Sequence, residues 1–93
     1  MYYYNYPVKA SKNATEGYIL NLSKGSCKNS TGMKTAVKLI NRSKLSERFV
    51  KKIYSYLERA KVYVGDKDRC GYIIYQLWGG KEMLNWCKKT LNK

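Results

Sequence analysis

The sequence predicts an all-α protein, a compact bundle of about five short helices with a helix-turn-helix-like pair in the middle. Three observations carry that prediction. Apolar residues recur at helical spacing along most of the chain. Clusters of glycine and small polar residues cut this pattern into pieces of helix length. The one strand-like run, Tyr72, Ile73, Ile74 and Tyr75, has no second convincing strand with which to pair. With 93 residues and 44% hydrophobic content, the chain suffices for one domain and one modest core, and is too apolar to be disordered.

The chain opens with MYYYNYP, in which Pro7, the only proline, turns Tyr6 away from helical angles. Residues 1–7 are therefore expected as an extended arm ahead of a single helical domain, residues 8–93. Its tyrosines are expected to pack on the domain or to mediate self-association, with base stacking as the alternative. In residues 8–22, Val8, Ser11, Ala14, Tyr18 and Leu22 mark one face of a first helix that tolerates Gly17 and stops at Gly25. The stretch KGSCKNSTG, residues 24–32, reads as a loop.

Ser30 or Thr31 should cap a second helix that ends near Asn41 and buries Met33, Ala36, Val37 and Ile40. After the turn NRSKL, Ser46 is a good N-cap for a third helix from Glu47 to about Val62. Phe49, Ile53, Leu57 and Ala60 form its apolar face, widened by Val50, Tyr54 and Tyr56. Asp66 or Asp68 should cap a fourth helix over residues 70–77. Gly79 and Gly80 then break the chain before a fifth helix over residues 81–91, with Leu84, Cys87 and Leu91 inward. Trp78, Gly79, Gly80 and Trp86 are expected to form a structural corner in which the two rings, the only tryptophans, fill the space on either side of the glycines.

The composition argues against catalysis. Without histidine, imidazole ligands and imidazole acid-base chemistry are excluded. Cys27, Cys70 and Cys87 fit neither a disulfide framework nor a zinc site, so free thiols in a reducing cytoplasm are expected. Cys27, near Lys24 and Lys28, should then have a lowered thiol pKa, but it lacks an oriented base. The Asp66 and Asp68 pair reads better as a helix cap than as a metal site. No catalytic residue, metal or cofactor is expected, and no stretch is apolar enough to span a membrane.

Charge is the functional signal. Nineteen Lys and Arg against six Asp and Glu give a net charge of +13, an excess that a natural sequence tolerates most readily when a polyanion neutralises it. On the second helix Lys34, Lys38 and Arg42 fall on one stripe; on the third, Arg48, Lys52 and Arg59 do, with Lys44 and Lys51 nearby. These eight residues are the candidate surface for nucleic acid, DNA or RNA, or for an acidic protein partner. Lysine acts as a point charge on phosphate, so weak sequence preference and strong salt dependence are expected.

The second half of the chain also resembles a helical module of tailed-phage proteins, characterised by a basic helix and a closing LWGG and W. Its residues here are Ser55, Tyr56, Leu57 and Arg59, then Gly71, Ile73, Leu77, Trp78, Gly79, Gly80 and Trp86, with Ala36, Leu45 and Ser46 upstream. The similarity spans roughly residues 8–91 and departs at Lys81 and Met83, where the module often has an acidic residue and glycine, and at Cys87, where alanine is usual. The resemblance implies a small phage accessory protein in the cytoplasm of an infected bacterium. Nucleic-acid binding is then the leading expectation. Its rivals are an anti-host or anti-defence inhibitor, for example an anti-CRISPR protein, docked on an acidic channel of a host complex, and a virion or assembly component.

Overall fold

The computed structural model describes residues 2–24, 27, 30–65 and 70–93. Among these residues, five helices, α1 (Val8–Lys24), α2 (Ser30–Ile40), α3 (Glu47–Ala60), α4 (Cys70–Leu77) and α5 (Gly80–Leu91), form an all-α bundle. A 3₁₀ turn, Lys61–Tyr63, extends α3, and two short strands, β1 (Tyr2–Tyr3) and β2 (Leu45–Ser46), pair antiparallel beside the helices. α1 packs chiefly on α4 and α2, while α3 packs on α5. The helix-turn-helix-like pair is present in sequence order, but each of its members leans mainly on a different helix.

The buried face of α1 differs from the stripe expected of it. Ser11 and Ala14 of that stripe are buried, but Ala10 and Asn13 join them, whereas Val8 and Leu22 are exposed. The cause is close packing by small side chains. A Cβ on Gly17 would lie 2.8 Å from the Leu77 backbone N and 2.9 Å from the Ile73 O, so α1 and α4 touch backbone to backbone there. Around this contact runs a polar seam. Asn13 donates to Gly79 O (2.9 Å) and Glu82 Oε1 (2.7 Å), Gln76 donates to Glu16 Oε1 (2.7 Å), and the Tyr72 hydroxyl donates to the same Glu16 oxygen (2.8 Å). Burial and the Glu16 carboxylate raise the Tyr72 pKa.

In α2, Ala36 is buried and Met33 and Ile40 are half-buried as expected, but Gly32, Thr35 and Leu39 complete the buried face and Val37 is exposed. The helix also starts at Ser30, inside the stretch expected as loop. The expectations for α3 hold: Ser46 caps it by accepting a 3.1 Å hydrogen bond from the Phe49 N–H, and Val50, Ile53 and Leu57 are buried. The expected stop at Gly25 and caps at Asp66 or Asp68 lie outside the described residues.

The cysteines require a correction. Cys27 and Cys70, expected as free thiols, are joined in a disulfide across 43 residues. Asn13 meets Gln76 and Glu16 meets Tyr72, so α1 and α4 run antiparallel and the residue beyond the end of α1 arrives at the start of α4. That proximity is invisible in the sequence spacing. Cys27 therefore does not titrate. Cys87 is a buried free thiol whose pKa desolvation pushes up to about 12.

Trp78, Gly79 and Gly80 form the corner between α4 and α5. Both glycines have positive φ, 108° and 70°. A Cβ on Gly79 would meet Met83, and one on Gly80 would lie 2.4 Å from Gln76 Oε1 and 2.6 Å from Asn13 Nδ2, so side chains rather than backbones crowd the corner. Trp78 is buried and stacks on Tyr56, with ring centroids 4.2 Å apart. Trp86 is not its counterpart. Half-buried on α5, it meets Tyr3 and Tyr6 edge-on at 5.8 and 5.9 Å and so receives the N-terminal arm.

Candidate nucleic-acid interface

The end of α2 determines how its basic residues are used. Arg42 N donates to Leu39 O and Ser43 N to Lys38 O, the pair of bonds that closes a helix with a left-handed residue after its last turn. That residue is Arg42, at φ 55°, where glycine would be the usual choice. Its side chain compensates. The guanidinium donates to Pro7 O (3.0 Å), Ser11 Oγ (2.8 Å) and Tyr6 O, and lies 4.3 Å from the centre of the Tyr6 ring. Tyr6 is buried and donates from its hydroxyl to Ser43 O at 2.7 Å.

Arg42 is thereby removed from the free basic stripe: its guanidinium fastens the arm instead of facing solvent as its neighbours on α2 do. The arm is extended as expected, and Tyr3 and Tyr6 pack on the domain while Tyr2 and Tyr4 stay exposed. Burial raises the Tyr6 pKa, and Arg42 opposes that rise.

The other seven candidates are all exposed. Lys34 and Lys38 lie one turn apart on α2; Arg48, Lys52 and Arg59 follow helical spacing on α3, and Lys44 lies between the helices. Lys38 Nζ sits 4.5 Å and Lys52 Nζ 6.0 Å from the centre of the same Phe49 ring, so one aromatic side chain gathers cations from both helices. The apolar spacing puts Phe49 on the core face of α3, and it packs there half-buried. Its position one residue after Arg48 gave no sign of this second role, which depends on how the chain turns at Arg42.

Few carboxylates oppose this charge. Lys51 pairs with Glu47 at 3.6 Å, an exposed contact of small worth. Glu58 bonds to Lys61 and lies 3.7 Å from Lys88, and its pKa is lowered, first by the Lys61 hydrogen bond. Glu16 and Glu82 accept from neutral side chains of the polar seam. Among the described residues, no carboxylate forms an ion pair with Lys34, Lys38, Lys44, Arg48, Lys52 or Arg59.

Among the described residues no group of three His, Cys, Asp or Glu side chains is placed to hold a metal ion. None of the described helices is long and apolar enough to cross a membrane. The chain matches no family model, no curated protein and no solved structure.

Proposed function

We propose that this protein binds nucleic acid, largely independently of sequence, through phosphate contacts from α2 and α3. The convergence of Lys38 and Lys52 on Phe49, with no carboxylate among the described residues paired to either, carries the reading. The aromatic ring draws the two ammonium groups together while both side chains stay exposed, so the surface offers positive charge at low ordering cost. Arg48 and Arg59 continue the stripe along α3, and Lys34 and Lys44 flank it. Self-repulsion from a net charge of +13 is relieved on binding a polyanion, and counterion release drives the association. The phage accessory setting rests on the resemblance of the LWGG and Trp86 region.

The test is the triple substitution Lys38→Glu, Arg48→Glu and Lys52→Glu, with binding followed by fluorescence anisotropy. All three side chains are exposed, so the melting temperature should fall by no more than a few degrees. Affinity should collapse, with the log-log salt slope shallower by about 0.9 for each duplex phosphate contact removed. Unchanged affinity in a folded variant would remove this face from the interface. Capture of a host protein that survives nuclease treatment, with no nucleic-acid binding, would instead favour the acidic-partner alternative.

A further inference from the structure

Where the C-terminal half of α3 and the 3₁₀ turn meet α4, a groove of about 390 Å³ is lined by Tyr56, Arg59, Ala60, Tyr63, Gly71 and Ile74. Its chemistry is specific. Two phenol rings and three small or aliphatic residues surround one charged group, Arg59, which has no carboxylate partner among the described residues. Tyr56 is held by its stack on Trp78, while Tyr63 is 76% exposed. A Cβ on Gly71 would fall 2.2 Å from Tyr63 O, so α4 lies directly against the backbone of the 3₁₀ turn that carries Tyr63.

A site of this kind fits a ligand with a flat π face beside a negative charge. The groove lies where the Arg48, Lys52 and Arg59 stripe ends, so a phosphate chain following the stripe delivers such a unit to it. We propose that this groove takes one unstacked base of a single-stranded nucleic acid, with Tyr63 stacking on the base and Arg59 meeting the adjacent phosphate. The inference rests on the nucleic-acid reading above and deepens it. Bases inside a duplex are unavailable for stacking, so the groove makes the protein prefer single strands over duplex at equal salt. The volume accommodates a nucleotide unit and lies at the small end of ligand sites in general.

The experiment compares wild type, Tyr63→Ala and Tyr63→Phe on a single-stranded oligothymidine, the same oligomer made abasic, and a random duplex. Tyr63 is exposed, so both variants should keep the fold, and melting curves check it. Tyr63→Ala should weaken the oligothymidine complex by about 5- to 150-fold, the equivalent of one lost base stack, and leave duplex and abasic binding unchanged. Tyr63→Phe should bind like wild type. Equal affinity of wild type for oligothymidine and its abasic form, or an equal loss on single strand and duplex, overturns the groove proposal while leaving phosphate binding intact. Absence of wild-type binding to every probe overturns both.

Discussion

The guanidinium of Arg42 lies 4.3 Å from the centre of the Tyr6 ring while donating to the Tyr6 and Pro7 carbonyls. One side chain thus ends α2, in a left-handed conformation, and anchors the N-terminal arm on the bundle. Removing that side chain should cost stability, and two substitutions separate its hydrogen bonds from the backbone conformation it tolerates. Arg42→Ala loses the hydrogen bonds and keeps the unfavourable backbone; Arg42→Gly loses the bonds and relieves the backbone by about 1 kcal/mol. Chemical denaturation should therefore rank wild type above Arg42→Gly, and Arg42→Gly above Arg42→Ala, with the alanine variant about 2 to 4 kcal/mol below wild type.

The disulfide makes a second prediction. Closing a loop across 43 residues stabilises a fold by up to about 4 kcal/mol in the chain-entropy picture. Cys27→Ser, or reduction of the wild type, should lower the denaturation midpoint accordingly. Intact-mass measurement with an alkylating reagent should find one reactive thiol per chain, Cys87, and only after unfolding, because that group is buried with its pKa pushed up to about 12. Three modified cysteines in unreduced denatured protein would contradict the pairing.

The glycine corner should be intolerant where the sequence motif alone gives no ranking. Gly80→Ala forces a positive φ on alanine and pushes its methyl into Gln76 and Asn13, so a loss of about 2 to 4 kcal/mol is expected. Trp78→Phe should be far milder, about 1 kcal/mol, since phenylalanine keeps a ring against Tyr56 and removes a buried indole N–H that has no hydrogen-bond partner among the described residues. Trp78→Ala should cost about 4 kcal/mol. Thermal and urea denaturation measure all three.

Much of this fold was legible in the sequence because its signals are local. Ser46 before Glu47, the apolar spacing of α3 and the Gly79 and Gly80 break each depend on a few adjacent residues, and each lies where expected. The misses are tertiary. The buried faces of α1 and α2 are built from small residues that periodicity weighs lightly, because close backbone approach takes the place of bulky side chains at Gly17. Arg42 looked like one more cation on a stripe, since nothing in a linear chain reveals that Tyr6 and Pro7 return to it. The cysteine pair was hidden by its separation, and Trp86 by the arm that folds over it. Lys34, Lys38, Arg48, Lys52 and Arg59 were legible by helical spacing, with Lys44 and Lys51 beside them, but the convergence of Lys38 and Lys52 on Phe49 was not.

The central claim is that cations on α2 and α3 without a carboxylate partner among the described residues bind phosphate, and a salt titration of wild-type protein with single-stranded DNA, duplex DNA and RNA tests it most directly. With Lys34, Lys38, Arg48, Lys52 and Arg59 engaged, the logarithm of the binding constant should fall linearly with the logarithm of salt concentration, with a slope of about −4 to −5 on duplex. An affinity that stays flat as salt rises, or no binding tighter than micromolar to any of the three at about 50 mM salt, would contradict it.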